Sequence, residues 1–167
     1  MGIALADAAA DYGAEVLLVS GPVNINPRNN IIKIIKIQDA SEMASECINN
    51  FSWCDIAILS AAVADFTPVR TEKDKLRRGD ETITLTLKPT ADIARSLGKM
   101  KKKSQILAGF ALETRNELEN AIAKLRRKNL DLIVLNSLRD EGAGFEHDTN
   151  RITIIDKYNN IDKFELK

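Results

Sequence analysis

Short runs of consecutive apolar residues alternate along this chain with stretches whose apolar positions recur every three or four residues. Residues 2–12 are Ala-rich and stop at Gly13, a residue suited to the left-handed turn that ends a helix. Glu15–Ser20 (EVLLVS) then reads as a short buried strand closed by Gly21-Pro22, and Ile31–Ile37 (IIKIIKI) as a β-branched strand. Asp39 and Ser41 suit the start of a helix whose Met43, Ala44, Cys47 and Ile48 form an apolar stripe. Ile56–Ala62 predicts another strand, apolar throughout, and Gln105–Ala111 and Leu130–Leu135 repeat the type. An amphipathic helix over residues 113–128 separates those last two, with Leu118, Ile122 and Leu125 as its buried stripe.

Continuous apolar strands divided by amphipathic helices imply a parallel sheet covered on both faces, the doubly wound, Rossmann-like α/β class. Such sheets take ligands at the carboxyl ends of their strands. Two stretches depart from the pattern. Phe66–Asp80 is polar and charged and reads as a mobile loop, and after it Ile83, Leu85 and Leu87 alternate with Thr82, Thr84 and Thr86. That strict period of two over Glu81–Leu87 predicts a half-buried antiparallel strand. The tail, Arg151–Asp156 and Ile161–Leu166 about Asn159-Asn160, predicts a hairpin. A doubly wound domain ordinarily opens with a strand and a Gly-rich phosphate loop. This chain opens on the helix, and we expect that a first strand has been lost by truncation.

At 167 residues the chain fits a single domain spanning 1–167. Its 24 Lys+Arg balance 24 Asp+Glu, which argues against broad electrostatic binding to nucleic acid or to an anionic membrane. The apolar run Ile56–Val63 falls short of the roughly 20 residues that span a bilayer. The opening MGIALADAAADYG carries acids and no basic leader, so no signal peptide is expected. Cys47 and Cys54 form no Cys-x-x-Cys and no Cys/His cluster, which reads as two packing thiols in a reducing cytoplasm.

Several places could carry chemistry. Ser60, Ala61 and Asp65 lie in SAAVADF at the end of an apolar strand, where small side chains let a flat base or ribose approach the backbone. Asp65 suits a sugar hydroxyl or a metal, and equally a turn cap. Lys75 lies in KDKLRR, a run that suits closure over a triphosphate or plain solvation. In KPTADI, Pro89 or Thr90 opens a helix whose first N–H groups suit an anion, unless Thr90 or Asp92 caps them. Phe110 follows Gly109 at a strand end, to stack on a base or fill the core. Lys124 and Lys128 share a helix face, as a phosphate clamp or as solvent-facing charge. Gly142-Ala143-Gly144-Phe145 suits a tight loop at the same sheet edge. His147, the lone histidine, has no evident partner, and no Ser-His-Asp, Cys-His or metal-ligand spacing occurs.

Taken in order, AAVADF (61–66), KDKLRR (73–78), LKPTADI (87–93), GFALET (109–114), RRKNLDLIVLN (126–136) and GAGF (142–145) resemble phosphopantothenoylcysteine synthetase over essentially the whole chain. In many bacteria that family is the second half of a bifunctional protein, behind a flavin-dependent decarboxylase. The resemblance implies a ligase of coenzyme A biosynthesis that uses CTP and Mg²⁺. 4′-Phosphopantothenate becomes an acyl-cytidylate, and L-cysteine attacks to release CMP. It further implies a homodimer in which the 73–88 region reaches toward the partner. Carried over, Ser60, Ala61, Asp65, Ala91, Asp92, Ile93, Ala94, Phe110, Lys124 and Lys128 would bind the nucleotide, and Lys75 would close on the triphosphate. Thr90-Ala91 stands where many relatives read Asn-Pro, and the family's Ser-Asn-His-Ser-Ser-Gly loop would precede Met1. Two other readings compete. An NAD(P)-dependent oxidoreductase on the same fold calls for a Gly-x-Gly-x-x-Gly turn that this sequence lacks, and a non-catalytic nucleotide-binding or assembly module would bind without turnover.

Overall fold

The computed structural model describes residues 1–70, 74, 82–113, 116–137 and 152–164. Among the described residues the elements follow one another as α1 (Gly2–Asp11), β1 (Leu17–Ser20), β2 (Lys33–Lys36), α2 (Ala40–Phe51), β3 (Ile56–Leu59), β4 (Phe66–Pro68), β5 (Leu87–Pro89), α3 (Ile93–Met100), β6 (Ile106–Glu113), α4 (Glu117–Arg127), β7 (Leu132–Ser137), β8 (Ile152–Asp156) and β9 (Ile161–Phe164). The predicted α/β class is the observed one. The main sheet has the order β3-β6-β7-β8-β9, parallel from β3 to β7 and antiparallel thereafter. β1 and β2 form a separate parallel pair, and β4 and β5 a short antiparallel one.

Most elements form where their residues dictate. Asp39 opens α2 by accepting hydrogen bonds from the N–H groups of Ser41 and Glu42, and Ala44, Cys47 and Ile48 turn into the core. Gly13 ends α1 at φ +86°, where a Cβ would be strained. The hairpin of β8 and β9 turns through Asn159, at φ +67°, with Asp156 accepting from the N–H groups of Tyr158 and Asn160. Burial raises the thiol pKa of Cys47 and of Cys54, as packing residues require.

Three expectations need correction. The main sheet is not covered alike on its two faces: Ala57 and Leu59 pack into the core, while Ile56 and Ile58 on the other side of β3 stay 57% and 45% exposed. Residues 82–86 form no strand and bury no face; Ile83 and Leu85 are 64% and 63% exposed. The antiparallel ladder runs instead between β4 and β5, extended by the Val69 N–H to the Thr86 carbonyl, because alternation buries a face only where another layer lies against it. Finally, α4 begins at Glu117, not at 113. β6 continues to Glu113 in register with Ser137 of β7, so sheet pairing claims those residues first. Most of the polar loop, the start of the predicted 81–87 strand and the GAGF segment fall outside the described residues.

The core joins α2, α3 and α4 to one face of β6 and β7, with Leu107, Ala121 and Ile133 without solvent exposure. At the amino end of this sheet one carboxylate binds several elements. Asp131 accepts from the Leu107 N–H at 2.9 Å, from Lys101 Nζ at 2.7 Å and from Lys157 Nζ at 2.9 Å. Gln105 does similar work nearby, donating to the carbonyls of Phe51 and Cys54 and accepting from the Lys102 N–H.

Burial pushes the Asp131 carboxyl up, but the two ammonium groups and the Leu107 N–H outweigh it and hold its pKa below the ordinary 3.8. A depressed pKa stabilises the fold above the unfolded value, and this contribution is lost as the pH falls through the folded value. Asp131→Asn should therefore lose about 2–4 kcal/mol at neutral pH, as expected when one partner of a buried charge cluster is removed. Urea unfolding at pH 7 and at pH 3 checks it: the gap between the two proteins should narrow in acid.

Candidate functional site

Parallel strands β3, β6 and β7 bring their carboxyl ends to one edge, and most of the described candidate residues gather there. The chain leaves β3 through Ser60 and turns back at Asp65. Ser60 is half-buried beneath the first turn of α1, so close that a Cβ on Gly2 would stand 2.7 Å from its Oγ. Ala61 and Ala62 are exposed, while Val63 packs into the core and anchors the turn. The turn is held from the far side by Thr90, whose Oγ1 donates to the Ala64 carbonyl at 2.6 Å and whose N–H donates to the Asp65 carbonyl at 2.9 Å. The Asp65 carboxylate is exposed and makes no hydrogen bond among the described residues; it caps nothing.

Pro89 and Thr90 do not open a helix. Pro89 closes β5, and α3 starts at Ile93 with Asp92 as its cap, Oδ1 accepting from the Arg95 N–H at 3.0 Å. Part of the N-terminal donor set is thus met by the protein's own carboxylate. Ala91 is exposed, Ala94 half-buried and Ile93 buried.

Lys124 and Lys128 project from α4 but are not held together. Lys124 Nζ lies 3.9 Å from Glu113 Oε1 at the end of β6. Lys128, which closes α4, reaches Asp92 Oδ1 at 2.9 Å with its side chain only 16% exposed. Neither is the solvent-facing charge that a helix surface usually carries. Burial raises the Asp92 pKa, but the hydrogen bonds from Lys128 and from the Arg95 N–H prevail and hold it below 3.8. Lys128 is therefore positioned before any ligand arrives.

Phe110 lies half-buried on β6, opposite Val134 of β7. Two residues farther along, Asn136 ends the apolar run of β7 opposite Leu112. Its Oδ1 is inaccessible to solvent and has no hydrogen-bond partner among the described residues. A buried carbonyl without a donor costs about 1–3 kcal/mol, which makes Asn136 a point of local strain at this end of the sheet. Sequence reasoning passed over Asn136. The available signal was one amide side chain closing an otherwise apolar strand, LDLIVLN. Lys75, Gly142–Phe145 and His147 lie outside the described residues. Among the described residues no group of three or more His, Cys, Asp or Glu could hold a metal, and no helix is long and apolar enough to cross a membrane.

A family model for the DNA/pantothenate metabolism flavoprotein C-terminal domain matches residues 1–167. The chain is 63% identical over 167 residues to a protein of an unknown prokaryotic organism named cysteine/cysteine sulfinic acid decarboxylase, covering 100% of this chain and 46% of that one. It is 46% identical over 157 residues to the coenzyme A biosynthesis bifunctional protein CoaBC of Bacillus subtilis strain 168, covering 94% of this chain and 38% of that one. It thus spans less than half the length of these curated relatives. The crystal structure of the C-terminal domain of a CoaBC protein superposes with a TM-score of 0.80 at 35% identity, covering 98% of this chain and 71% of that one.

The cap on α3 can be separated from its charge. Asp92→Ala should cost about 1 kcal/mol of unfolding free energy, whereas Asp92→Asn, which keeps an acceptor for the Arg95 N–H, should stay within about 0.5 kcal/mol of the parent. Urea denaturation of the two variants measures both.

Proposed function

The chain belongs to the family of the DNA/pantothenate metabolism flavoprotein C-terminal domain, and on that premise we propose that it is the ligase domain that joins 4′-phosphopantothenate to L-cysteine, over residues 1–167 and in the cytoplasm. The observation that carries this reading is the 35% identity and common fold with the C-terminal domain of CoaBC over 98% of the chain. In the proposed reaction a carboxylate oxygen of phosphopantothenate attacks the α-phosphorus of CTP and displaces pyrophosphate. The cysteine amine then attacks the acyl carbon of the acyl-cytidylate, loses a proton, and CMP leaves. The activation is needed because a carboxylate would otherwise have to expel oxide.

The residues at the carboxyl edge divide this work. Ser60, Ala61 and the backbone after them receive the base and ribose, with the Asp65 carboxylate open to a sugar hydroxyl. Phe110 supplies a flat apolar wall. Ala91, Asp92, Ile93 and Ala94 form the turn beside the phosphates, and Lys124 and Lys128 supply positive charge from a fixed helix. Lys75 closes on the triphosphate. Mg²⁺ suits this site as an ion that arrives on the triphosphate, since it is commonly held by one or two carboxylates plus phosphates and not by a protein cage. When bound it neutralises phosphate charge.

The exposed β4–β5 ladder, with Ile83 and Leu85 beside it, supports a homodimer whose 73–88 regions cover one another. In bifunctional relatives this domain would work beside the flavin-dependent decarboxylase. A second reading, a decarboxylase acting on cysteine or its sulfinate, draws on the name of the 63% identical relative, a protein more than twice as long as this chain. Calorimetry with CTP, ATP and NADPH separates the ligase from an oxidoreductase. Turnover separates it from a binding module, and carbon dioxide release from cysteine sulfinate would favour the decarboxylase.

Pyrophosphate release across a CTP titration tests the assignment of the two lysines. If Lys75 meets the triphosphate only after its loop closes, its charge acts mainly in the transition state. Lys75→Gln should then slow turnover by about 2–4 kcal/mol, roughly 30- to 1,000-fold. Lys128→Gln, on a preformed helix, should raise the KM for CTP more than it lowers kcat. Wild-type turnover by Lys75→Gln at saturating CTP would remove Lys75 from the reaction.

A further inference from the structure

The ammonium of Lys128 is fixed from the opposite end of α3. Lys128 closes α4, and its carbonyl rests directly on Gly98 in the last turn of α3. A methyl group at position 98 would overlap that carbonyl oxygen and stand 3.0 Å from its carbon and 3.3 Å from Asn129 Cβ. Asn129 adopts the left-handed conformation at φ +53°, and its amide donates to the Gly98 carbonyl at 2.7 Å. Lys101 Nζ donates to the Asn129 carbonyl at 2.8 Å. From this clamped backbone the Lys128 side chain runs back along α3 to Asp92 at the other end of the helix. Glycine inside a helix is less favourable than alanine, so nothing local favours Gly98. The close approach is what requires it.

We propose that Gly98 is a positioning residue for nucleotide binding: by admitting the Lys128 carbonyl against α3, it sets the point from which the Lys128 ammonium reaches the phosphate side of the site. Asn129 holds the same point by its amide. The inference rests on the reading that Lys128 meets the triphosphate. A free lysine gives up much of its rotamer freedom on binding an anion, whereas this one has given it up in the folded protein. A shift of its backbone anchor displaces the charge and reaches CTP affinity without any contact between Gly98 and the nucleotide.

The test is a double-mutant cycle on CTP affinity, measured by calorimetry on this chain with Mg²⁺, with circular dichroism confirming that each variant is folded. Gly98→Ala should weaken CTP about tenfold, as an ångström-scale displacement of a binding group does. Asn129→Gly, which keeps the left-handed turn and loses only the amide, should weaken it about threefold. In a Lys128→Gln background either change should cost less than about twofold more, because its effect passes through Lys128. An undiminished loss in that background overturns the proposal by making Gly98 a general packing residue. So does unaltered CTP affinity in both single variants when Lys128→Gln binds weakly. Should Gly98→Ala fail to fold, Asn129→Gly carries the same cycle. Unaltered affinity in Lys128→Gln, or no CTP binding by the unsubstituted chain, removes the underlying reading instead.

Discussion

The Asp131 carboxylate sits where β6, the end of α3, β7 and the turn after β8 meet, and it accepts a hydrogen bond from the first three-dimensional neighbour of each kind: a strand N–H and two ammonium groups. Its oxygen on the Leu107 N–H sets the register of β7 against β6, since Asp131 N–H in turn donates to the Leu107 carbonyl at 2.8 Å. Once that register is set, Phe110 falls beside Val134 and Asn136 beside Leu112, two strand positions farther on. The amino end of the sheet therefore determines which side chains arrive together at its carboxyl end. A buried carboxylate with two counter-charges is an expensive way to join strands, and the apolar layer of Leu107, Ile133 and Ile155 supplies the driving force that makes it tolerable.

The carboxyl edge joins two kinds of surface. On one side stand small side chains and a half-buried aromatic ring, which suit a flat group. On the other stand Lys124 and Lys128, each beside an acid, at the start of α3 and the end of β6. Paired cations of this sort bind anions by exchanging one partner for another, so their contribution is to position more than to attract. As the proposed nucleotide site, this edge would rely on preformed geometry, in keeping with a net charge of zero over the whole chain.

Much of this was legible in advance, and for identifiable reasons. KIIK, IAIL and LIVL were readable as strand centres because a run of apolar or β-branched residues has few other stable uses in a small α/β domain, though the predicted ends ran past them, to Ala62 and from Leu130. Asp39 was readable as a cap because its side chain bonds N–H groups two and three residues away, a local interaction. Residues 82–86 were misread because their alternation is a necessary condition for a half-buried strand and not a sufficient one. The pairing of Lys128 with Asp92 was out of reach: 36 residues separate the two, and in sequence Lys128 looks like one more basic residue in RRK.

By itself, then, the sequence determined the alternation of helix and strand, the α/β class and the strand ends where small and aromatic residues collect, because each depends on periodicity or on contacts within a few residues. The family resemblance added an expected chemistry to those positions. Only the tertiary structure decided that Asp92 caps α3 while holding Lys128, that Gly98 is required by the carbonyl of Lys128, and that Asn136 Oδ1 is buried without a partner among the described residues. These depend on which distant segments pack together, and a side chain's hydrogen-bonding partner is settled only when the backbone on both sides of it has been placed.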